Sequence, residues 1–564
     1  MKKSSLTTAV VAGLAGAAGL VSVANAVHVN PDGLGQVLIY PYYTVNNGQA
    51  TLISVVNTTD EVKAVKVRFL ESLNSAEVLD FNLYLSPFDV WTGAILDTDG
   101  GDDGRASLVT QDRSCTVPTE IAATLANPTS TTPFQNFQYA VFEPDTGPRG
   151  LDRTREGHIE IIEMGVVEST ALAAAATHNS SGVPANCPAL QTAFVTGIWN
   201  PTTGDPNTLV STPTGGLFGA GEIVNVAAGT NLSYNAVALD AFYTFAIADG
   251  ATDANDDLHN FPESIDPSLS DARNGVDFAI ARVFDAGTVV DLGFEFGEPD
   301  AASAALMHNE IYNEYNTLPS LNAASEWVMT FPTKRAHTYN TTTIPERRPF
   351  TQEFDFGNLD ACEQVGLTFW DREERSPGEV AGPINVCPSP PPPGGCNPET
   401  PENATLLCYE ANIFTFNQSD RAIAGEPSAV LAASFYTNFD TASQFDDAGF
   451  PVPGAEVFQT GWARLQFVQY DDTDGDGVLG SDGDLPAFDS HFLVDGLQDG
   501  DPEELIEGLP VVGFWVANYQ NGNVGGVLAN YSGLHDHRGD RNGYGVFVDP
   551  TTGEPTGRTG FAWS

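Results

Sequence analysis

Lys63-Ala64-Val65-Lys66-Val67-Arg68-Phe69 alternates with period two: Lys63, Val65, Val67 and Phe69 fall on one side of an extended chain, Ala64, Lys66 and Arg68 on the other. This is the pattern of a half-buried β-strand, and the neighbouring sequence repeats it. Upstream, Gln36-Val37-Leu38-Ile39-Tyr40 and Thr51-Leu52-Ile53-Ser54-Val55-Val56 are apolar runs separated by Asn46-Asn47-Gly48, a turn-forming triplet. Downstream, Phe81, Leu83 and Leu85 share a face before Ser86-Pro87 redirects the chain towards Trp91. Short strands at this spacing, joined by Asn, Asp, Gly and Pro, predict a mainly β chain: an antiparallel β-sandwich with long loop insertions and one or two short helices.

Further strands are expected at 139–142, 158–162, 326–331, 429–436, 462–467 and 511–516, with a mostly irregular stretch and one helical patch at 171–214. A helix is expected after Asp300 as N-cap, with Met307, Ile311 and Tyr315 at i, i+4 and i+8 forming its buried face. No internal repeat stands out, which disfavours a solenoid or propeller. The organisation that follows is a leader over 1–26, a β-sandwich with insertions over 27–350, and a second β-rich region over 351–564.

The leader reading rests on Lys2 and Lys3, an apolar stretch of small residues over 9–23, and the A-x-A site Ala24-Asn25-Ala26. The apolar run of roughly 15 residues is shorter than the ~20 of a spanning helix. No later segment is apolar for long enough to span as a helix. The chain carries 23 Lys and Arg against 74 Asp and Glu, a formal net charge of −51. Charged residues are only 17% of the total, so the imbalance is a shortage of bases rather than an excess of acids. Past the leader the lysines are Lys63, Lys66 and Lys334. Such a chain repels nucleic acid and anionic surfaces and gathers cations.

Six cysteines in an exported chain point to disulfides. Cys115 and Cys187 can pair with each other. Cys362, Cys387, Cys396 and Cys408 flank a Pro-rich segment, and either Cys362–Cys387 with Cys396–Cys408 or a nested pairing would staple it. The absence of C-x-x-C disfavours zinc and redox chemistry.

The sharpest motif is Asp472-Thr473-Asp474-Gly475-Asp476-Gly477-Val478, followed by Asp482 and Asp484. Alternating carboxylates converge on one hard cation, the glycine permits a sharp turn, and Val478 can offer its carbonyl, so Asp472, Asp474, Asp476, Val478, Asp482 and Asp484 are the expected Ca²⁺ ligands. Gly483 stands where a bidentate Glu belongs in an EF-hand, and the flank at 465–470 reads as strand. The loop therefore resembles the calcium loops of dockerin and thrombospondin-like repeats, at a hairpin tip. Weaker acidic loops lie at 97–104 and 249–257.

Other residues carry less specific signals. His535 and His537 could share a transition metal with Asp540, although a polar turn explains them as well. Ser532 beside His535 and Asp536 is too compressed for a catalytic triad. Asp371, Glu373 and Glu374 could include a glycosidase acid, and Trp370, Trp462 or Trp515 could stack on sugars, although strand tryptophans are usually core. No G-x-S-x-G, H-E-x-x-H or phosphate-cradling glycine loop occurs.

The segments Val29-Asn30-Pro31-Asp32-Gly33-Leu34-Gly35-Gln36-Val37-Leu38-Ile39-Tyr40-Pro41-Tyr42-Tyr43-Thr44, Glu326-Trp327-Val328-Met329-Thr330-Phe331-Pro332-Thr333-Lys334 and Gly508-Leu509-Pro510-Val511-Val512-Gly513-Phe514 resemble a group of uncharacterised exported cell-surface proteins of Gram-negative bacteria, a resemblance that implies a location but no activity. Residues 52–95 are similar in pattern to immunoglobulin-like sandwich domains, with Asn57-Thr58-Thr59-Asp60 as the first hairpin turn. The expected function is that of an acidic cell-surface or extracellular structural protein, calcium-stabilised, associating with divalent cations and with copies of itself or a cell-surface polymer. The periplasm is a further destination. The alternatives are a secreted carbohydrate-binding protein or hydrolase, and an outer-membrane β-barrel, which the non-aromatic C-terminus disfavours.

Overall fold

The computed structural model describes residues 26–562, apart from 99–103, 141–146, 245–257, 276–277, 286–287, 296, 340–348, 355–360, 375–387, 390–403, 418–426, 441–457, 469, 472–484, 487–490, 495–502 and 549–554. The chain is mainly β, in several sheets, none of which closes into a barrel among the described residues. The ladders are antiparallel, with a parallel exception between Ala411–Asn417 and Tyr436–Asp440. No helix among the described residues is long and apolar enough to cross a membrane.

The Lys63–Glu71 strand lies inside an eight-stranded sheet, between Glu156–Val167 and Glu77–Leu85. Val65, Val67 and Phe69 point into a core shared with Trp91 and Ile95 of a facing six-stranded sheet. Asn57-Thr58-Thr59-Asp60 carries the chain from Ala50–Asn57 in that second sheet to Lys63–Glu71 in the first, so it is a crossing between sheets and not the expected hairpin. Asn57 supports the crossing, its side chain donating to the carbonyls of Glu61 and Ser86.

Half-burial does not hold for Lys63–Glu71. The other face of its sheet is covered by the Phe278–Asp285/Thr288–Glu295 hairpin and the Asp300–Leu306 helix, which join Ala64, Ile162 and Met164 in a second core. Water is removed from both faces, so each base there needs an acid. Lys63 donates to Glu163 (2.7 Å), Lys66 to Asp80 (2.7 Å), and Arg68 to Glu77 and Glu160 (3.1 and 2.8 Å). At the strand end, Glu71 receives Arg153 through two nitrogens (2.8 and 3.0 Å) and the N–H groups of Leu73, Asn74 and Ala76. Burial pushes the Glu71 carboxyl up, but Arg153 and these donors outweigh it and hold the group below the usual range.

The remaining sheets are built from later sequence. A five-stranded sheet runs Ala404–Leu407, Glu363–Asp371, Thr460–Gln466, Glu310–Asn316, Arg538–Asp540. It faces a six-stranded sheet containing Ala411–Asn417, Ala323–Thr330, Val512–Val524 and Val527–Asp536 across a third core of Ile311, Tyr315, Trp327, Phe369, Phe416 and Leu465. The strands at 310–330 thus pair with strands from 411–540, and strand pairing crosses the division expected at 350. Gly525 and Gly526, at φ 62° and 89°, turn Val512–Val524 back into Val527–Asp536, a turn geometry that glycine accepts freely.

Four short α-helices are present among the described residues, Thr170–Ala176, Cys187–Val195, Asp300–Leu306 and Lys334–Thr338, against the one or two expected. The helix after Pro299 stops at Leu306. Ile311 and Tyr315 lie instead on the Glu310–Asn316 strand, both buried, because a spacing of four suits a strand face as well as a helix face. Tyr139 sits in a turn rather than a strand, and its expected strand partners at 141–142 lie outside the described residues. Strand structure near 429–436 begins only at Tyr436. The preceding segment wraps the buried Glu326 carboxylate, which accepts from Val430 and Leu431 N–H (2.8 and 2.9 Å), Thr415 (2.8 Å) and Ser428 (3.1 Å).

Cys115 is bonded to Cys187, tying Cys115–Val117 to the start of the Cys187–Val195 helix. Cys362 is bonded to Cys408, which selects the nested alternative; Cys387 and Cys396 lie outside the described residues.

Candidate functional site

Asp472, Asp474, Asp476, Val478, Asp482 and Asp484 all lie outside the described residues, as do 99–103 and 249–257 of the weaker acidic loops. The flanks of the expected calcium loop are described: Tyr470 pairs with Pro486 and Asp471 with Leu485, antiparallel. Among the described residues no three His, Cys, Asp or Glu side chains converge as a metal-ligating group.

The histidine pair is committed elsewhere. His535 stacks on Trp515 (5.3 Å between centroids, 3° between planes), whereas His537 packs on Trp327 and contacts Val328 O through Nε2 (2.9 Å). Its Nδ1 faces the Asn313 amide nitrogen (3.1 Å), so the assignment that satisfies both is a neutral ring with its proton on Nε2. Burial pulls His537 down to about 4. Ser532 exchanges hydrogen bonds with the backbone of Asn231. Asp371 is buried and receives the N–H of Glu373, closing the turn that ends its strand.

One arrangement invisible in the sequence has the outline of a catalytic triad. Ser303 Oγ lies 2.8 Å from His337 Nε2, and His337 Nδ1 lies 3.7 Å from Asp300. Ser303 is fully buried, however, and its hydroxyl also meets Pro299 O (2.9 Å) and Thr333 Oγ1 (2.8 Å). Buried in this way, the group joins two helices, Asp300–Leu306 and Lys334–Thr338.

Among the described residues, a groove of about 730 Å³ lies where the five-stranded sheet meets the Thr230–Asn235 strand. Ladder register builds its floor. Trp462 stands opposite Trp370 on one side and Glu314 on the other, and the next outward row is Thr368, Arg464, Tyr312 and Arg538. Ala463, Leu465, Ile311 and Tyr315 alternate with these and face the core. The two indoles stack at 4.1 Å with 15° between planes, and Arg464 lies 5.5 Å from the Trp370 ring centre. Tyr312 tilts against the free side of Trp462 at 6.3 Å. Trp462 remains 42% exposed.

Polar groups close the other sides. Ser233 and Asn235 come from the six-stranded sheet of the first core, and Asp536 and Arg538 from the Val527–Asp536 and Arg538–Asp540 strands. This combination offers flat apolar faces with hydrogen-bonding edges of both signs. Of the tryptophans singled out in the sequence, Trp370 and Trp462 come together here, whereas Trp515 is buried under His535. Tyr312, Glu314 and Asn235 carry no local signal in the sequence; a helix over 307–315 would scatter the outward row that Tyr312 and Glu314 form on the Glu310–Asn316 strand. Comparison with protein-family models, with curated proteins and with solved structures finds no match in any of the three.

Proposed function

We propose that this chain is an exported, acidic, non-catalytic component of the cell surface or extracellular matrix, whose exterior is neutralised by divalent cations. The observation that carries the reading is where the few bases sit. Lys63, Lys66, Lys334, Arg153, Arg155 and Arg273 are all buried. Among the described residues the exposed bases are Arg149, Arg372 and Arg538, while Asp32, Asp60, Glu120, Asp152, Asp205 and Glu298 all face solvent. The buried bases are spent on internal acids such as Glu163, Asp80 and Glu71, which leaves the exterior rich in carboxylates and poor in bases. Neighbouring copies therefore repel unless cations lie between them.

Ca²⁺ held by Asp472, Asp474, Asp476, Val478, Asp482 and Asp484 is the first such neutralisation, and other copies of the chain or a cell-surface polymer are the partners. The Cys115–Cys187 and Cys362–Cys408 disulfides support an oxidising destination outside the cytoplasm. An immunoglobulin-like assignment for residues 52–95 belongs to the same proposal, supported by strands that alternate between two facing sheets.

Sedimentation of the purified mature protein, with and without Ca²⁺, tests the reading. The expected result is self-association in the range of about 0.1–1 mM Ca²⁺ typical of extracellular modules, reversed by chelator. Calorimetry should show a binding heat that Asp474→Ala with Asp476→Ala abolishes. No heat and no association at millimolar Ca²⁺ would sink the proposal.

A further inference from the structure

We infer that the groove floored by Trp462 and Tyr312 is a binding site for a neutral polysaccharide, with Trp370 acting as a positioning residue. Three features identify the ligand. The first is the aromatic platform. Trp370 occupies one face of Trp462 and holds it upright on the sheet, leaving the opposite side of the indole turned towards Tyr312 and the groove. A pyranose ring presents C–H groups on its faces and hydroxyls around its edge, so it stacks on an aromatic face while its rim stays free to hydrogen-bond.

The second feature is the polar rim. Asn235, Asn313, Glu314, Asp536 and Arg538 bring amide, carboxylate and guanidinium groups to one 730 Å³ space. Adjacent sugar hydroxyls are donors and acceptors at once, and they suit such mixed edges better than a purely apolar or singly charged ligand does. The volume lies inside the ~300–1,000 Å³ range of small-molecule sites, so the groove takes a short segment of a chain.

Charge supplies the third feature. Two carboxylates, Glu314 and Asp536, face one guanidinium, Arg538, on a molecule of net charge −51. An anionic polymer such as a uronate would be repelled over its whole approach, whereas a neutral one would not. The groove also exposes a large aromatic that a folded protein gains nothing by exposing, with a second indole set behind it. This inference is independent of cation-driven association, and either can fail alone.

The test is native affinity electrophoresis of the folded protein through gels containing β-1,4-glucan, β-1,3-glucan, α-1,4-glucan or mannan, with polygalacturonate as the anionic comparison, all in chelator to suppress self-association. At least one neutral polymer should retard the protein. Trp462→Ala should weaken that retardation about tenfold and Trp370→Ala less, as expected when a stacking face is removed or merely loses its support. Phe88→Ala, at an exposed aromatic remote in sequence from the groove, should change nothing. Trp462→Tyr, which keeps a ring, should restore part of the binding and separates loss of the platform from misfolding. Retardation by no neutral polymer, retardation by polygalacturonate alone, or retardation indifferent to Trp462→Ala would overturn the inference.

Discussion

The strand Lys63–Glu71 and the strand Thr460–Gln466 share the same two-residue alternation, yet their second faces meet opposite fates. Behind Lys63–Glu71, a hairpin and a helix seal the sheet, and its charged residues become internal ion pairs. Over Thr460–Gln466 no comparable hairpin or helix closes the sheet among the described residues, and Trp462 lines an open groove. Alternation reports that two faces differ. It does not report what lies against the second face, and here that one variable separates a sealed sheet from an open groove.

The sharpest way to break this contrast is to remove one partner from a sealed pair. Arg153→Ala leaves the Glu71 carboxylate buried without its counter-ion, and urea unfolding should show a loss of about 3–5 kcal/mol. Arg282→Ala deletes a pair of similar geometry, Arg282 to Asp291 at 2.7 Å, where Asp291 is 34% exposed. It should cost less than about 1 kcal/mol. Equal losses would mean that burial is not what distinguishes these sites.

A second experiment uses pH. Burial raises Glu410 from 4.5 to about 8, against the pull of Lys334 and Arg335. The folded state therefore holds this proton more tightly than the unfolded state. Its contribution is fully present below about pH 4.5 and declines as pH rises to about 8. Glu410→Gln should remove that slope, narrowing the difference in unfolding free energy between pH 5 and pH 9 by an amount on the order of 4 kcal/mol. An unchanged slope would show that Glu410 is ionised throughout. The smallest effect is expected at the open floor: Trp462→Ala should change stability by less than about 1 kcal/mol in the same urea titration. A larger loss would make the indole a core residue after all.

Much of the strand pattern was legible in the sequence because inward positions such as Val65, Val67, Phe81 and Leu83 repeat at period two. Less legible was anything set by partners distant in sequence. Four-residue spacing at Met307, Ile311 and Tyr315 satisfies both helix and strand, and the pairing of Glu310–Asn316 with Thr460–Gln466 decides between them. Residues 429–435 are apolar enough for a strand, yet Val430 and Leu431 spend their N–H groups on Glu326 instead of on a ladder. The groove draws on positions 233–235, 312–314, 462 and 534–538, and no local pattern announces that these meet.

The placement of the lysines has a practical consequence. Lys63 and Lys66 are sealed in the eight-stranded sheet, and Lys334 is buried with its amine on the Leu407 and Tyr409 carbonyls. Beyond residue 26, amine-directed reagents and lysine-specific proteases find no exposed lysine side chain to attack until the fold opens. Each lysine then becomes a built-in clock for its own neighbourhood: modification at Lys63 or Lys66 times the opening of the eight-stranded sheet, and modification at Lys334 times the release of the short helix that it begins.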